Sequence, residues 1–127
     1  MRPRRPGAAS VLLLGILAAA AVIAPSPARA TMSLSAYEAA ASDPAQRALR
    51  KSHLLGALDG LDLTNRVLVA GGAQPLFCRP SDRPITAERA EAILDRYLGD
   101  NPDIGHQKSL PIVDVLMLAL EEIYPCR

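Results

Sequence analysis

The chain is poor in aromatic side chains, with no tryptophan, one phenylalanine and three tyrosines in 127 residues. Without such rings there is no platform on which successive bases could stack, which excludes the usual way of holding single-stranded nucleic acid. It has two histidines, His53 and His106, and two cysteines, Cys78 and Cys126. These are scattered and lack the ligand spacing of a zinc site. No nucleophile stands beside a base in the pattern a covalent mechanism requires. Gly71-Gly72 is followed by no Lys-Ser/Thr pair and preceded by no strand pattern, so it is not a phosphate-cradling loop. The acid pairs Asp59/Asp62 and Glu121/Glu122 read as solvated helix faces, because neither has a metal-binding or cleft partner in sight. No enzymatic activity, cofactor or metal is expected.

The N-terminus carries the features of a secretory leader. Arg2, Arg4 and Arg5 precede an unbroken apolar run from Val11 to Ala24, then Pro25, Pro27 and the small-residue site Ala28-Arg29-Ala30. The run falls short of the roughly 20 residues that a membrane span needs, so a cleaved signal peptide over residues 1–30 is expected rather than an anchor. Pro6-Gly7 after Arg4-Arg5 argues against a twin-arginine signal. Cleavage after Ala30 leaves Thr31 to Arg127, one small domain. Four of the fourteen basic residues leave with the leader, so ten remain against thirteen acidic ones. The mature domain is mildly acidic, and no basic stripe marks it for nucleic acid.

A domain of this size buries only about 60–65% of its unfolded surface, and here the core must be built from Leu, Ile, Val and Ala. A covalent clamp would help such a thin core. Both cysteines survive cleavage, and export brings them into an oxidising compartment, so a single Cys78–Cys126 disulfide is expected. The periplasm is the expected location.

Helical periodicity runs through the mature chain. Thr31 to Ala41 is Ala-rich and suits a short first helix. Asp43-Pro44-Ala45-Gln46 is a start signal, with Asp43 as cap, Pro44 at the first helical position and Gln46 completing a capping box. A second helix follows to Ala70, where Gly71-Gly72 ends it. Leu49, His53, Gly56, Gly60, Leu63 and Val67 recur along it at three- and four-residue steps, which predicts an apolar face. The two glycines predict close approach of another helix backbone. Residues 73–85, with Pro75, Pro80 and Pro84, form an irregular crossover whose Leu76-Phe77-Cys78 tucks against the core. Thr86 caps a third helix over Ala87 to Leu98 with the stripe Ala90, Ile93, Leu94, Tyr97 and Leu98. After a polar loop, Ser109 caps a last helix from Leu110 to Tyr124, buried through Ile112, Val113, Leu116, Leu120, Ile123 and Tyr124. The expected fold is an all-α bundle of about four helices closed by one disulfide.

Several of these segments together resemble the Rap/Tai family, the resistance-associated and type VI secretion amidase immunity proteins. They are Gly56-Ala57-Leu58-Asp59-Gly60-Leu61, Gln74-Pro75-Leu76-Phe77-Cys78-Arg79-Pro80, Ile85-Thr86, Ile93-Leu94-Asp95-Arg96-Tyr97-Leu98 with Asn101-Pro102, Leu118-Ala119-Leu120 and Tyr124-Pro125-Cys126. The resemblance runs from about Leu49 to Cys126. It implies small exported helical proteins with disulfides, some of them homodimers, that bind and inhibit a periplasmic peptidoglycan amidase by blocking its cleft. Many members carry a second cysteine pair, one near the first helix and one at the position of Arg50 here, and a tyrosine where this chain has His53. The Cys78–Cys126 pair matches the more C-terminal bridge. The expected contact surface is the loop from Asp100 to Lys108, with Asn101, Asp103, His106 and Lys108 exposed, or the loop from Arg79 to Arg83. A different class also fits the composition: a small periplasmic chaperone or envelope-stress binder whose thirteen carboxylates lose charge in acid.

Overall fold

The computed structural model describes residues 31–127, so the leader expected over residues 1–30 lies outside the described residues. The domain is all-α, with helices α1 (Leu34–Ala39), α2 (Pro44–Ala70), α3 (Ala87–Asp100), α4 (Pro102–Gly105) and α5 (Ile112–Ile123). Cys78 and Cys126 are joined by a disulfide with their Cα atoms 5.0 Å apart.

Local chemistry sets most of the boundaries. Ser33 caps α1 by accepting from the Ala36 N–H, and Asp43 caps α2 by accepting from the Ala45 N–H, with Pro44 at the first position. Gly72, at φ 78°, ends α2 in a Schellman turn: its N–H donates to Val69 O and the Ala73 N–H donates to Leu68 O. Thr86 caps α3 through the Arg89 N–H. Two expectations fail here. The segment after Asn101 is a further one-turn helix rather than a loop, since Pro102 at its start and Asp103 in its first turn both favour one. Ser109 does not cap the last helix, which begins at Ile112 behind Pro111 and has no side-chain cap. The Ile112 N–H instead donates to Met32 O at 2.8 Å, and Leu34 N–H donates to Leu110 O at 2.8 Å. One β-bridge between Ser33 and Pro111 thus ties the start of the domain to the entry of α5.

α3 packs against both α2 and α5. Their shared core holds Leu54, Leu58 and Leu61 of α2, Ala90, Ile93 and Leu94 of α3, and Ile112, Val115, Leu116, Ala119 and Leu120 of α5. Leu34 and Tyr37 of α1 and Phe77 of the crossover complete it. The stripes read for α3 and α5 are therefore the buried ones in the main, with Ala119 and Val115 replacing Val113 at the centre of α5's face.

The face expected for α2 is the wrong one. Leu49, Leu63 and Val67 are 57%, 54% and 62% exposed, and a Cβ built on Gly56 or Gly60 meets nothing within 4 Å. The helix carries two apolar stripes on opposite sides, and only one can face the core. Leu54, Leu58 and Leu61 remove more apolar area from water than a stripe interrupted by two glycines, so the leucine stripe goes inside.

Candidate functional site

The crossover between α2 and α3 is irregular in backbone yet held at several points. Asn65 projects from α2 and pairs with it twice: its Oδ1 accepts the Leu76 N–H at 2.7 Å and its Nδ2 donates to Phe77 O at 3.0 Å. This serves two backbone groups that a helix or sheet would otherwise have to satisfy. Phe77 is 2% exposed and anchors the same stretch in the core. The Cys78 N–H donates to Tyr124 O at 2.7 Å, alongside the disulfide to Cys126.

Arg79 then turns back onto α2. Its Nη2 donates to Asp62 Oδ2 at 2.6 Å and its Nε to Asp62 Oδ1 at 3.2 Å, a bidentate fork on the carboxylate. That hydrogen bonding raises the Arg79 pKa above its ordinary value. The same guanidinium donates from Nη1 to Arg83 O at 3.3 Å, which closes the turn and leaves Ser81, Asp82 and Arg83 exposed at its tip. Between this turn and the C-terminal half of α2 lies an open groove of about 690 Å³, whose apolar lining includes Val69, Ala70 and Pro75 and whose edge carries Arg66.

The four residues expected on the Asp100 to Lys108 segment do not behave as one set. Asn101 is half-buried and its Nδ2 donates to Tyr97 O at 3.0 Å, so it closes the end of α3. Lys108 reaches across to α1, where both carboxylate oxygens of Glu38 accept from its Nζ at 2.8 Å. Asp103 and His106 present exposed side chains. No hydrogen bond among the described residues joins this segment to the crossover.

Three contributors escape a reading by residue type alone. Asp62 is the partner of Arg79 rather than half of a solvated acid pair. Asn65 lies on the spacing of Leu54, Leu58 and Leu61, so correct phasing of α2 would have marked it as a polar group aimed inward. Arg50 is 11% exposed at its side chain and pairs with Glu91 at 2.9 Å. Its guanidinium also lies 4.1 Å from the centre of the Tyr37 ring and donates to Tyr37 O at 3.3 Å. His53 is half-buried, and its Nε2 accepts the Met32 N–H at 3.3 Å. Among the described residues, no group of three His, Cys, Asp or Glu side chains is placed to hold a metal ion, and no helix is long and apolar enough to cross a membrane. The surface there shows a pinned turn with a charged tip beside an apolar groove.

No protein-family model matches the chain, and neither do the curated proteins or the solved structures with which it was compared.

Proposed function

We propose that the chain is an exported, non-catalytic binding protein that acts in the periplasm as an immunity-type inhibitor, presenting the crossover turn to the cleft of a secreted peptidoglycan amidase. The observation that carries this reading is the fixing of that turn from three directions, by Asn65 from α2, by the Asp62–Arg79 pair and by the bond to Cys126. A segment already held in one conformation loses little entropy on binding, which is what a loop that plugs a cleft needs. The resemblance through Pro75-Leu76-Phe77-Cys78-Arg79-Pro80 supplies the substrate class of the target, and the leader-like N-terminus supplies the compartment. Ser81, Asp82 and Arg83 are the residues that would enter the partner, with Asp103 and His106 as the alternative contact face.

The test is titration of the purified protein against a cell-wall amidase encoded beside its gene, read as binding and as inhibition of peptidoglycan cleavage. The double variant Asp82→Arg/Arg83→Glu should weaken both at least tenfold with an unchanged circular-dichroism spectrum. The same loss in Asp103→Arg/His106→Glu, with the first variant unaffected, would move the contact to α4. A wild-type protein that neither binds nor inhibits the amidase removes the proposal.

A further inference from the structure

Residues 31–127 carry ten cationic side chains against thirteen acidic ones, yet the cations that no carboxylate engages gather at one end. Arg50, Lys51, Arg79, Arg96 and Lys108 are held in ion pairs. Among the described residues, Arg47, Arg66, Arg83, Arg89 and Arg127 have no such partner, and all five are exposed. Four of them lie around the crossover turn. Arg66 edges the groove on its α2 side, and Arg83 belongs to the turn itself. Arg89 stands in the first turn of α3, and Arg127 follows the cysteine bonded to Cys78. Asp82, the turn's own carboxylate, pairs with none of them among the described residues. Like charges brought together repel one another, so this end of the domain has an unmet demand for negative charge.

On the α3 side of the turn lies a cleft of about 500 Å³, lined by Pro80, Arg83, Pro84, Ile85, Arg89 and Tyr124. Its walls are already set. The two prolines have fixed φ, the backbone of Arg83 is closed onto Arg79, and the backbone of Tyr124 is bonded to Cys78 and Leu120. Glu88, the neighbour of Arg89, is engaged by Lys51. We infer that this cleft receives a carboxylate of the partner protein, an Asp or Glu side chain beside an apolar residue. Arg83 and Arg89 grip the carboxylate, and the apolar neighbour lies against Pro84 and Ile85. The inference rests on the crossover turn being the contact surface, and it names the chemistry of the lip that the turn meets.

The exposure of the two arginines decides what kind of ligand this is. In open water an ion pair is worth only about 0–1 kcal/mol, too little to hold a free anion. A protein surface that covers the turn takes water from both guanidiniums, and forked arginine–carboxylate bonds strengthen as the water leaves. Arginine is for this reason among the residues that carry interface energy. An anionic membrane would meet the whole domain, whose balance is acidic, whereas a lip that enters the cleft meets the arginines alone. The same charges steer the approach, so association is faster at low salt.

The experiment follows the kinetics of binding to the amidase encoded beside the gene, at about 0.05 M and about 0.5 M salt. The protein is recovered from the periplasm of a host expressing the whole sequence. Wild-type association should slow about tenfold between the two conditions. Arg89→Glu should weaken binding at least tenfold and flatten the salt dependence, and Arg89→Gln should fall between. Helical content should not change, because an acidic residue in the first turn of a helix suits its dipole. Arg47→Glu makes the same charge change on an exposed arginine at the other end of α2, also in a first turn, and should bind as wild type does. Salt-independent wild-type binding overturns the inference, as do full affinity in Arg89→Glu and an equal loss in Arg47→Glu; each leaves the amidase reading standing. A wild type that does not bind the amidase removes both. Binding to phosphatidylglycerol vesicles that is lost in Arg89→Glu, with amidase affinity unchanged, would assign the arginines to a membrane surface and overturn the inference as well.

Discussion

Opening the Cys78–Cys126 bond releases the unfolded chain far more than the folded one. The bridge spans a sequence separation of 48 residues. In the chain-entropy treatment a loop of that length contributes about 4 kcal/mol, by restricting the denatured ensemble. The folded side changes little, because the Cys78 N–H still donates to Tyr124 O, Asn65 still holds Leu76 and Phe77, and Asp62 still holds Arg79. Against a total stability on the order of 5–15 kcal/mol, a loss of about 3–4 kcal/mol is large. For a domain of this size it corresponds to a fall on the order of 15–25 °C in melting temperature. Urea titrations of the oxidised protein and of Cys78→Ser/Cys126→Ser measure the difference directly. Hydrogen exchange in the double variant should show the amides of Leu76 and Cys78 opening together with the core. A stability change under 1 kcal/mol would refute the entropic argument. Early, separate exchange of those two amides would show that the bond, and not its noncovalent neighbours, holds the crossover down.

Four further outcomes can be measured by the same methods. Asn65→Ala leaves the half-buried Leu76 N–H and Phe77 carbonyl without partners and should cost about 2–3 kcal/mol in a urea titration, with the crossover amides losing protection first. Arg50→Ala strands Glu91, 17% exposed at its side chain, and removes the guanidinium from the Tyr37 ring; a loss of about 2–4 kcal/mol is expected, partly recovered in Arg50→Met, which keeps the packing stem. The Tyr37 hydroxyl is buried without a hydrogen-bond partner, and burial followed by the nearby Asp95 charge pushes its pKa well above the ordinary tyrosine value. Tyr37→Phe should therefore leave stability within about 0.5 kcal/mol of wild type or raise it, and a clear loss would mean the hydroxyl has a partner in solution. Glu88 is held below its ordinary value of 4.5 by the hydrogen bond from Lys51, so its contribution is present above that pH and is lost as pH falls through the lowered value. The acid limb of the stability curve should be shallower in Glu88→Gln, and identical limbs would show that this exposed pair contributes nothing.

Much of the fold follows from signals local in sequence. Asp43-Pro44, Thr86 and Gly71-Gly72 act through bonds to residues two to four positions away, so they can be recognised without knowing what packs where. The apolar stripe of α3 is legible for the same reason, since its opposite face is charged and only one phase fits. α2 is different. Both of its long faces are apolar, and the choice between them depends on how much area α3 and α5 cover, which is a tertiary quantity. Once α2 is misphased, Asn65 and Asp62 are displaced from their roles, and the contacts that shape the crossover are lost with them. Ser109 shows a related failure. The start of α5 is set by the bond from Ile112 to Met32, eighty positions earlier, and a long-range partner of that kind leaves no local mark.

Arg50 connects these observations. A cysteine bridged from position 50 to α1 would tie two elements at one point. The arginine ties three. Its backbone belongs to α2, its guanidinium lies on the Tyr37 ring and reaches Tyr37 O in α1, and its Nε donates to Glu91 in α3. Because the guanidinium is planar, it can stack on the ring and fork to a carboxylate at the same time, which a lysine ammonium cannot. The two ends of α2 are thus secured by different means. Near the N-terminal end the fastening is ionic and aromatic, so it depends on the charge of Glu91. Near the C-terminal end the fastening passes through the crossover, and there the covalent bond to Cys126 adds what Asn65 and the Asp62–Arg79 pair begin. Between these ends the core needs only one side of α2, and for that reason the opposite side is left free to carry a second apolar seam.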